Sequence, residues 1–442
     1  MRIDTIKIEN FRGFSAPTLF AVTEPTFTPQ CEFRFDKQFN VIVGDNGTGK
    51  TALLDALAVG LGSLFLGFDE IESRGIRKDE VRLARFEYGE TINVEPQYPV
   101  EITCTGLVHG HQINWTRTLE NPSGRTTRQG ATEIFEISRN LQHAVRSGEP
   151  VNLPLLAYYG TGRLWLQKKD RNLEPTKPAS RTVGYLDCLD PASNEKRLLR
   201  WLKTMEIIQL QQGRPVGLLE AVKQAVVSSV EMWHSMFYDI SQDELIITAT
   251  DGRQLPFRML SDGVRNMLAM VADIAYRAAV LNPQHNIEAA RSTSGVVLID
   301  EIDLHLHPKW QRQVVEDLRR TFPRIQFIAT THSPFIVQSL RPGELINLDQ
   351  VRSAEYADRS IEDIAEQVME VVLPQRSERY QEMMTAAKEY YHILQQGKQA
   401  HPHQLEALKR RLDELTPFSD NIAYHAFLEM EREAAGLGKE RP

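Results

Sequence analysis

Three short segments carry the residue types that handle a nucleoside triphosphate, and they lie far apart in a chain of 442 residues. Gly44-Asp45-Asn46-Gly47-Thr48-Gly49-Lys50-Thr51 fits the spacing G-x-x-x-x-G-K-[ST]. Glycines let a backbone wrap close round phosphate, and the first N–H groups of a following helix point at an anion. Lys50 adds positive charge and the Thr51 hydroxyl suits Mg2+. Gly44, Asn46, Gly47, Thr48, Gly49, Lys50 and Thr51 are therefore the expected phosphate-binding set. Val296-Val297-Leu298-Ile299-Asp300-Glu301 is an apolar run ending in two carboxylates. Asp300 is expected to hold Mg2+ through water. Glu301 is expected to orient and deprotonate an attacking water, because phosphoryl transfer needs positioning and charge stabilisation more than covalent chemistry. Thr330-Thr331-His332-Ser333-Pro334 brings His332 to the end of another apolar run, where an imidazole can donate to a γ-phosphate.

The surrounding pattern supplies the elements that position these groups. Phe39–Val43 reads as a short buried strand and Ala52–Leu57 as a helix, the strand, loop and helix order that the first motif requires. Val296–Ile299 is a continuous apolar run, as in a parallel strand buried on both faces, and Ile325–Ala329 reads as a second buried run beside it. Leu245–Thr250, a turn at Asp251-Gly252, and Arg253–Met259 read as a hairpin. It leads to Leu260-Ser261-Asp262-Gly263, with Ser261 at the N-cap of a helix running to about Leu281. Tyr98–Val108 and Gln112–Leu119 form a second hairpin around His109-Gly110, followed by a polar loop, Asn121–Gly130. Helices are expected at Ser193–Gln212 and Leu218–Met236 from apolar residues three and four apart, and the charged stretch Gln167–Thr182 reads as a solvated loop. His305 and His307 would share one face of a strand, but no third ligand or nearby Cys supports zinc.

With these motifs in this order, residues 1 to about 350 resemble the ABC-type ATPase heads of the SMC, RecF and OLD-like group, and "RIDTIKIENFRGF" resembles their first strand and turn. The resemblance implies an α/β fold: a mixed or parallel sheet with helices, an antiparallel lobe, a helical insertion and a helical C-terminal region. It implies ATP and Mg2+ as cofactors. It also implies that Ser261 and Gly263 belong to a signature that closes on ATP held by a second copy, in a homodimer or higher homo-oligomer. Glu301-Ile302-Asp303-Leu304-His305-Leu306-His307-Pro308 resembles the loop that such heads place at the dimer interface. Asp262 departs from the pattern by replacing the first signature glycine, which puts a carboxylate near the expected γ-phosphate, so it must point away or be neutralised, with Arg265 the candidate. The Mg-sensing glutamine of such heads is not identifiable, since Gln167 lies several residues beyond Tyr158-Tyr159-Gly160. That Tyr-Tyr-Gly-Thr stretch and Arg359–Ile364 resemble the ATPases of Septu-type anti-phage systems, which implies an HNH-type nuclease as a separate partner. The alternative reading is a RecF-like DNA-clamping ATPase of repair or recombination.

Composition bounds the rest. Between the P-loop and the signature lie about 210 residues that prolines interrupt throughout, so a compact insertion is expected rather than a coiled-coil arm. The expected divisions are an ATPase lobe over 1–160, a mainly helical insertion over 161–243, the second ATPase lobe over 244–350 and a helical region over 351–442 for oligomer or partner contacts. The net charge is −8, so nucleic acid would bind only through a local basic surface or through the complex. From residue 351 on, 17 acidic residues against 12 basic ones give a net charge of −5, which discourages DNA binding there, and no Asp-x-Asp on a strand suggests an intrinsic nuclease. The three cysteines lie far apart, and neither a signal peptide nor a membrane span is expected, which points to the cytoplasm.

Overall fold

The computed structural model describes residues 1–15, 31–35, 37–88, 91–164, 180–191, 195–349 and 360–369. The chain divides into two compact units, Met1–Ile364 and Ala365–Pro442. Only the first residues of the second unit are described, so the tail helices expected beyond residue 369 lie outside the described residues, as do Gln167 and nearly all of the 167–182 loop.

In chain order the strands are β1 (Arg2–Glu9), β2 (Glu32–Arg34), β3 (Phe39–Val43), β4 (Leu83–Tyr88), β5 (Thr91–Pro96), β6 (Val100–Val108), β7 (His111–Leu119), β8 (Leu155–Tyr159), β9 (Trp233–Asp239), β10 (Glu244–Ala249), β11 (Gln254–Pro256), β12 (Gly295–Ile299), β13 (Ile325–Thr330) and β14 (Leu345–Asn347). The five longest described helices are α1 (Lys50–Leu61), α2 (Thr132–Arg146), α3 (Glu195–Gln212), α4 (Gly217–Ser228) and α5 (Asp262–Leu281).

The central sheet is parallel throughout, in the order β14-β3-β13-β12-β8. Every residue of β3, β8, β12 and β13 is buried, which is why these segments are mainly apolar rather than alternating, with the polar Asn40, Gln326 and Thr330 buried among them. A second, antiparallel sheet runs β2-β1-β6-β7, and a third β11-β10-β9. Together they give the expected α/β class, a parallel sheet with helices and an antiparallel lobe.

Helix α1 lies between the parallel and antiparallel sheets and is buried along almost its whole length. Close approach explains Gly60: a Cβ there would come within 2.4 Å of the Cys104 sulfur, and the Trp115 indole N–H donates to the Gly60 carbonyl at 2.9 Å. The stretch Lys50–Gly67 is apolar enough to cross a membrane but is 89% buried inside the protein. Its one carboxylate, Asp55, is held by Arg12 at 2.7 Å and Arg74 at 2.9 Å, so its charge is paired where it is buried. Gln326 of β13 sutures the two sheets: its amide donates to the carbonyls of Ile3 and Phe35 at 2.8 and 2.6 Å and accepts from the Ile3 N–H at 2.9 Å.

Two local expectations change. The helix expected over Leu218–Met236 ends at Ser228, and Trp233–Asp239 is β9, paired antiparallel with β10. The helical spacing of Val222, Val226 and Val230 runs on past the true end. The aromatic residues that follow instead satisfy their backbone groups on the neighbouring strand. His305 and His307 lie on no strand: they fall in a turn with His305 at φ 61°, and His307 Nδ1 accepts from the Lys309 N–H at 3.2 Å to cap a short helix, Pro308–Gln311.

Candidate functional site

The P-loop leaves β3 and enters α1 with Gly47 and Gly49 at φ 89° and 103°, a left-handed conformation that a side chain would strain. A Cβ on Gly49 would also meet the Phe14 ring at 3.1 Å, whereas one on Gly47 would face open space. Lys50 Nζ donates to the carbonyls of Gly44 and Asp45 at 2.6 and 2.8 Å. Burial lowers the Lys50 pKa, opposed by the carboxylates of Asp349, Asp300, Asp45 and Glu301.

Because β12 and β13 are parallel neighbours with Ile299 opposite Ala329, the next residue of each meets the other's end. Thr51 Oγ1 donates to Asp300 Oδ2 at 2.9 Å, and Thr330 Oγ1 donates to Asp300 Oδ1 at 2.6 Å. The same Thr330 oxygen accepts the Glu301 N–H at 2.8 Å, while its carbonyl accepts from Ile302 at 2.9 Å. Glu301 itself is left-handed at φ 49°, a conformation that costs a non-glycine residue about 1 kcal/mol or more and persists because these bonds over-determine it. A hydroxyl and a carboxylate converging at the mouth of a glycine loop fit a hard divalent cation beside phosphate oxygens. The residues present therefore fit a nucleotide bound with a divalent metal.

His332 is exposed at the end of β13, and both flanks are pinned. Thr331 Oγ1 donates to Asp303, and Ser333 Oγ donates to Gln311 at 2.7 Å while capping the short helix Pro334–Gln338.

Ser261 takes the N-cap position of α5 as expected, but its hydroxyl makes no capping hydrogen bond. Asp262 is 49% exposed and paired with Arg265 at 3.1 Å, so the departure from the family pattern carries its own neutralising partner. Gly263 packs against the turn after Glu301 rather than the P-loop: a Cβ there would lie 2.1 Å from the His305 carbonyl oxygen. At the far side α5 is tied to β8. Tyr159 donates its hydroxyl proton to Asp273 at 2.7 Å, and Arg277 donates to Asp273 at 2.7 Å and to the carbonyls of Gly184 and Leu186 at 2.8 and 3.2 Å.

Two residues escaped the sequence reading. Thr330 could have been found from parallel pairing, since a hydroxyl one position past Ala329 must stand beside Asp300. Asp349, whose Oδ2 accepts the Asp45 N–H at 2.7 Å, gave no local signal.

The family model described as "AAA domain, putative AbiEii toxin, Type IV TA system" matches residues 39–338. The chain is 26% identical over 363 residues to the Retron Vc95 probable ATPase of Vibrio cholerae serotype O1 biovar El Tor, covering 70% of this chain and 68% of that protein. It is 26% identical over 407 residues to the Retron Ec83 probable ATPase of Escherichia coli, covering 77% and 70%. Septu protein PtuA of Bacillus mycoides (strain KBAB4) is 23% identical over 348 residues, which cover 78% of this chain and 40% of that protein. The matched residues hold every strand of the parallel sheet except β14, and the chain therefore belongs to the AAA family so described, as an ATPase that binds its nucleotide with a divalent metal.

Proposed function

We propose that this chain is the Mg2+-dependent ATPase subunit of a cytoplasmic anti-phage assembly, in which two copies share ATP and the nucleotide state governs a separate HNH-type nuclease. The observation that carries the chemical part is the hydrogen-bonded chain Thr51–Asp300–Thr330–Glu301, which joins the metal-binding hydroxyl to the candidate base through one buried threonine. The defence part is supported by similarity to two retron ATPases and to PtuA.

In this reading the P-loop amides and Lys50 bind the phosphates, with Gly44, Asn46, Gly47, Thr48 and Gly49 shaping the cradle. Bound Mg2+, held by Thr51 and through water by Asp300, would neutralise charge on the phosphate oxygens. Glu301 takes the proton of the attacking water, and His332 donates toward the γ-phosphate. Ser261 and Gly263 of a second copy close the site, and pairing with Arg265 keeps Asp262 from repelling the nucleotide. Residues 1–160 and 244–350 form the ATPase lobes, 161–243 the insertion, and 351–442 the region for partner contacts. Cleavage of nucleic acid belongs to the partner, so metal-dependent cleavage by the purified chain that a point change in 351–442 abolishes would contradict this division.

The test is purification of the tagged protein from its host with mass spectrometry of what co-elutes, alongside ATP hydrolysis with Mg2+ and with EDTA. A small HNH protein in a large complex and EDTA-sensitive hydrolysis are expected. A dimer carrying only DNA, with ATP-dependent affinity that falls steeply with salt, would instead favour a RecF-like clamp.

A further inference from the structure

Strands β4 and β5 form a ribbon of two strands, and among the described residues no other strand pairs with either outer edge. Five of its apolar side chains, Leu83, Phe86, Tyr88, Ile92 and Val94, stand between 42% and 63% exposed. Two-stranded ribbons are marginal alone, and an open, apolar edge is a template for another strand.

The backbone phase of that edge can be read directly. The Gln97 N–H donates to the Arg82 carbonyl at 2.8 Å, and the register continues with Leu83 opposite Pro96 through Tyr88 opposite Thr91. Hydrogen-bonded pairs alternate along an antiparallel ladder. Ala84, Phe86 and Tyr88 therefore turn their N–H and C=O groups inward to β5, and Leu83, Arg85 and Glu87 turn theirs outward. Arg85 and Glu87 share one face and are paired with each other at 3.3 Å, both well exposed.

We propose that the outer edge of β4 docks against the same edge of a second copy of this chain, antiparallel about a twofold axis through Phe86. In that register outward groups meet outward groups. Arg85 faces Glu87 of the second copy and Glu87 faces Arg85 of the second copy, so one sequence supplies both halves of a complementary charge pattern. Phe86 faces its own counterpart at a non-hydrogen-bonded position, where side chains come closest, and Ala84 leaves room for Tyr88 of the second copy. Moving the axis to Arg85 or Glu87 keeps the hydrogen-bond phase but sets like charges against each other. Placing it between two residues breaks the phase. The outer edge of β5 offers no such match, because Pro96 lacks an N–H and Ile92 and Val94 carry no charge.

This contact needs no nucleotide and is separate from the ATP-shared pairing proposed above. A chain with two different self-complementary contacts builds assemblies larger than a dimer. The test uses the nucleotide-free full chain, measured by light scattering and sedimentation equilibrium. Wild type is expected to form dimers. Arg85→Glu and Glu87→Arg are each expected to weaken association about tenfold, and the Arg85→Glu/Glu87→Arg double variant to recover it. In a Cys31→Ser background, which removes the one free cysteine that is not buried, Phe86→Cys is expected to give disulfide-linked dimers under mild oxidation, and Cys31→Ser alone is not, with Cys104 and Cys188 buried. A monomeric wild type, single reversals that associate like wild type, a double variant that stays monomeric, or no cross-link at position 86 would each overturn the proposal. ATP-dependent association of Glu301→Gln reports separately on the shared nucleotide site.

Discussion

Thr330→Val tests the central claim about the site, because valine keeps the shape of a fully buried side chain and removes only its hydroxyl. That oxygen donates to the Asp300 carboxylate at 2.6 Å and accepts the Glu301 N–H at 2.8 Å. A hydrogen bond to a charged group contributes about 1.5–3 kcal/mol, and a buried N–H stripped of its acceptor costs about 1–3 kcal/mol. The two share one oxygen, so a loss of about 3 kcal/mol is expected, large against a total of roughly 5–15 kcal/mol. The kinetic effect follows from Glu301: its left-handed backbone is no longer held, and a displacement of about 1 Å at a catalytic group costs on the order of a hundredfold in rate. The P-loop and Lys50 are untouched, so nucleotide affinity should stay within about twofold of wild type. Urea denaturation, single-turnover hydrolysis and a fluorescent-nucleotide titration measure the three quantities, and Thr330→Ser, which restores the hydroxyl, should recover most of both losses. The reasoning is refuted if Thr330→Val turns over like wild type, or if its affinity falls in step with its rate.

Other perturbations probe the remaining parts. Asp349→Asn keeps an acceptor for the Asp45 N–H but removes a negative charge beside Lys50, so ATP should bind about threefold to tenfold tighter in an equilibrium titration; weaker binding would contradict that. Asp273→Asn strips the buried Arg277 of its carboxylate and should cost about 3–5 kcal/mol by chemical denaturation, while an unchanged midpoint would mean the clamp on α5 is dispensable. Gly263→Ala would gain about 1 kcal/mol from helix propensity alone, yet the His305 carbonyl lies 2.1 Å from the new methyl, so a net loss of stability is expected. Lys50→Ala should weaken nucleotide binding and Glu301→Gln should hold ATP and the assembled state, read by sizing with ATP; assembly equal to wild type would count against the second.

What could be read beforehand was whatever the chain writes locally. The strand, glycine loop and helix around Lys50 lie within a few residues of one another, and the continuous apolar run of β12, with the largely apolar β13, announced burial on both faces. Thr330 and Asp349 act across tens or hundreds of residues, and only the pairing of strands brings them to the loop. β9 was misread because valines four apart continue past the point where α4 stops, and pairing with β10 decides that segment. Gln326 looked like an interruption in an apolar strand, yet its amide is the tie to Ile3 and Phe35 from the opposite sheet.

The packing of Gly263 also sorts which heritable changes the signature segment can absorb. Leu260 is buried and Gly263 is sealed by the His305 carbonyl, so a mutation at either reaches the turn or core behind it, and at 263 that turn leads straight back to Glu301. Asp262 stands half in solvent with Arg265 as a ready counter-charge. Drift can therefore alter charge at position 262 while the backbone that carries the candidate base stays where it is.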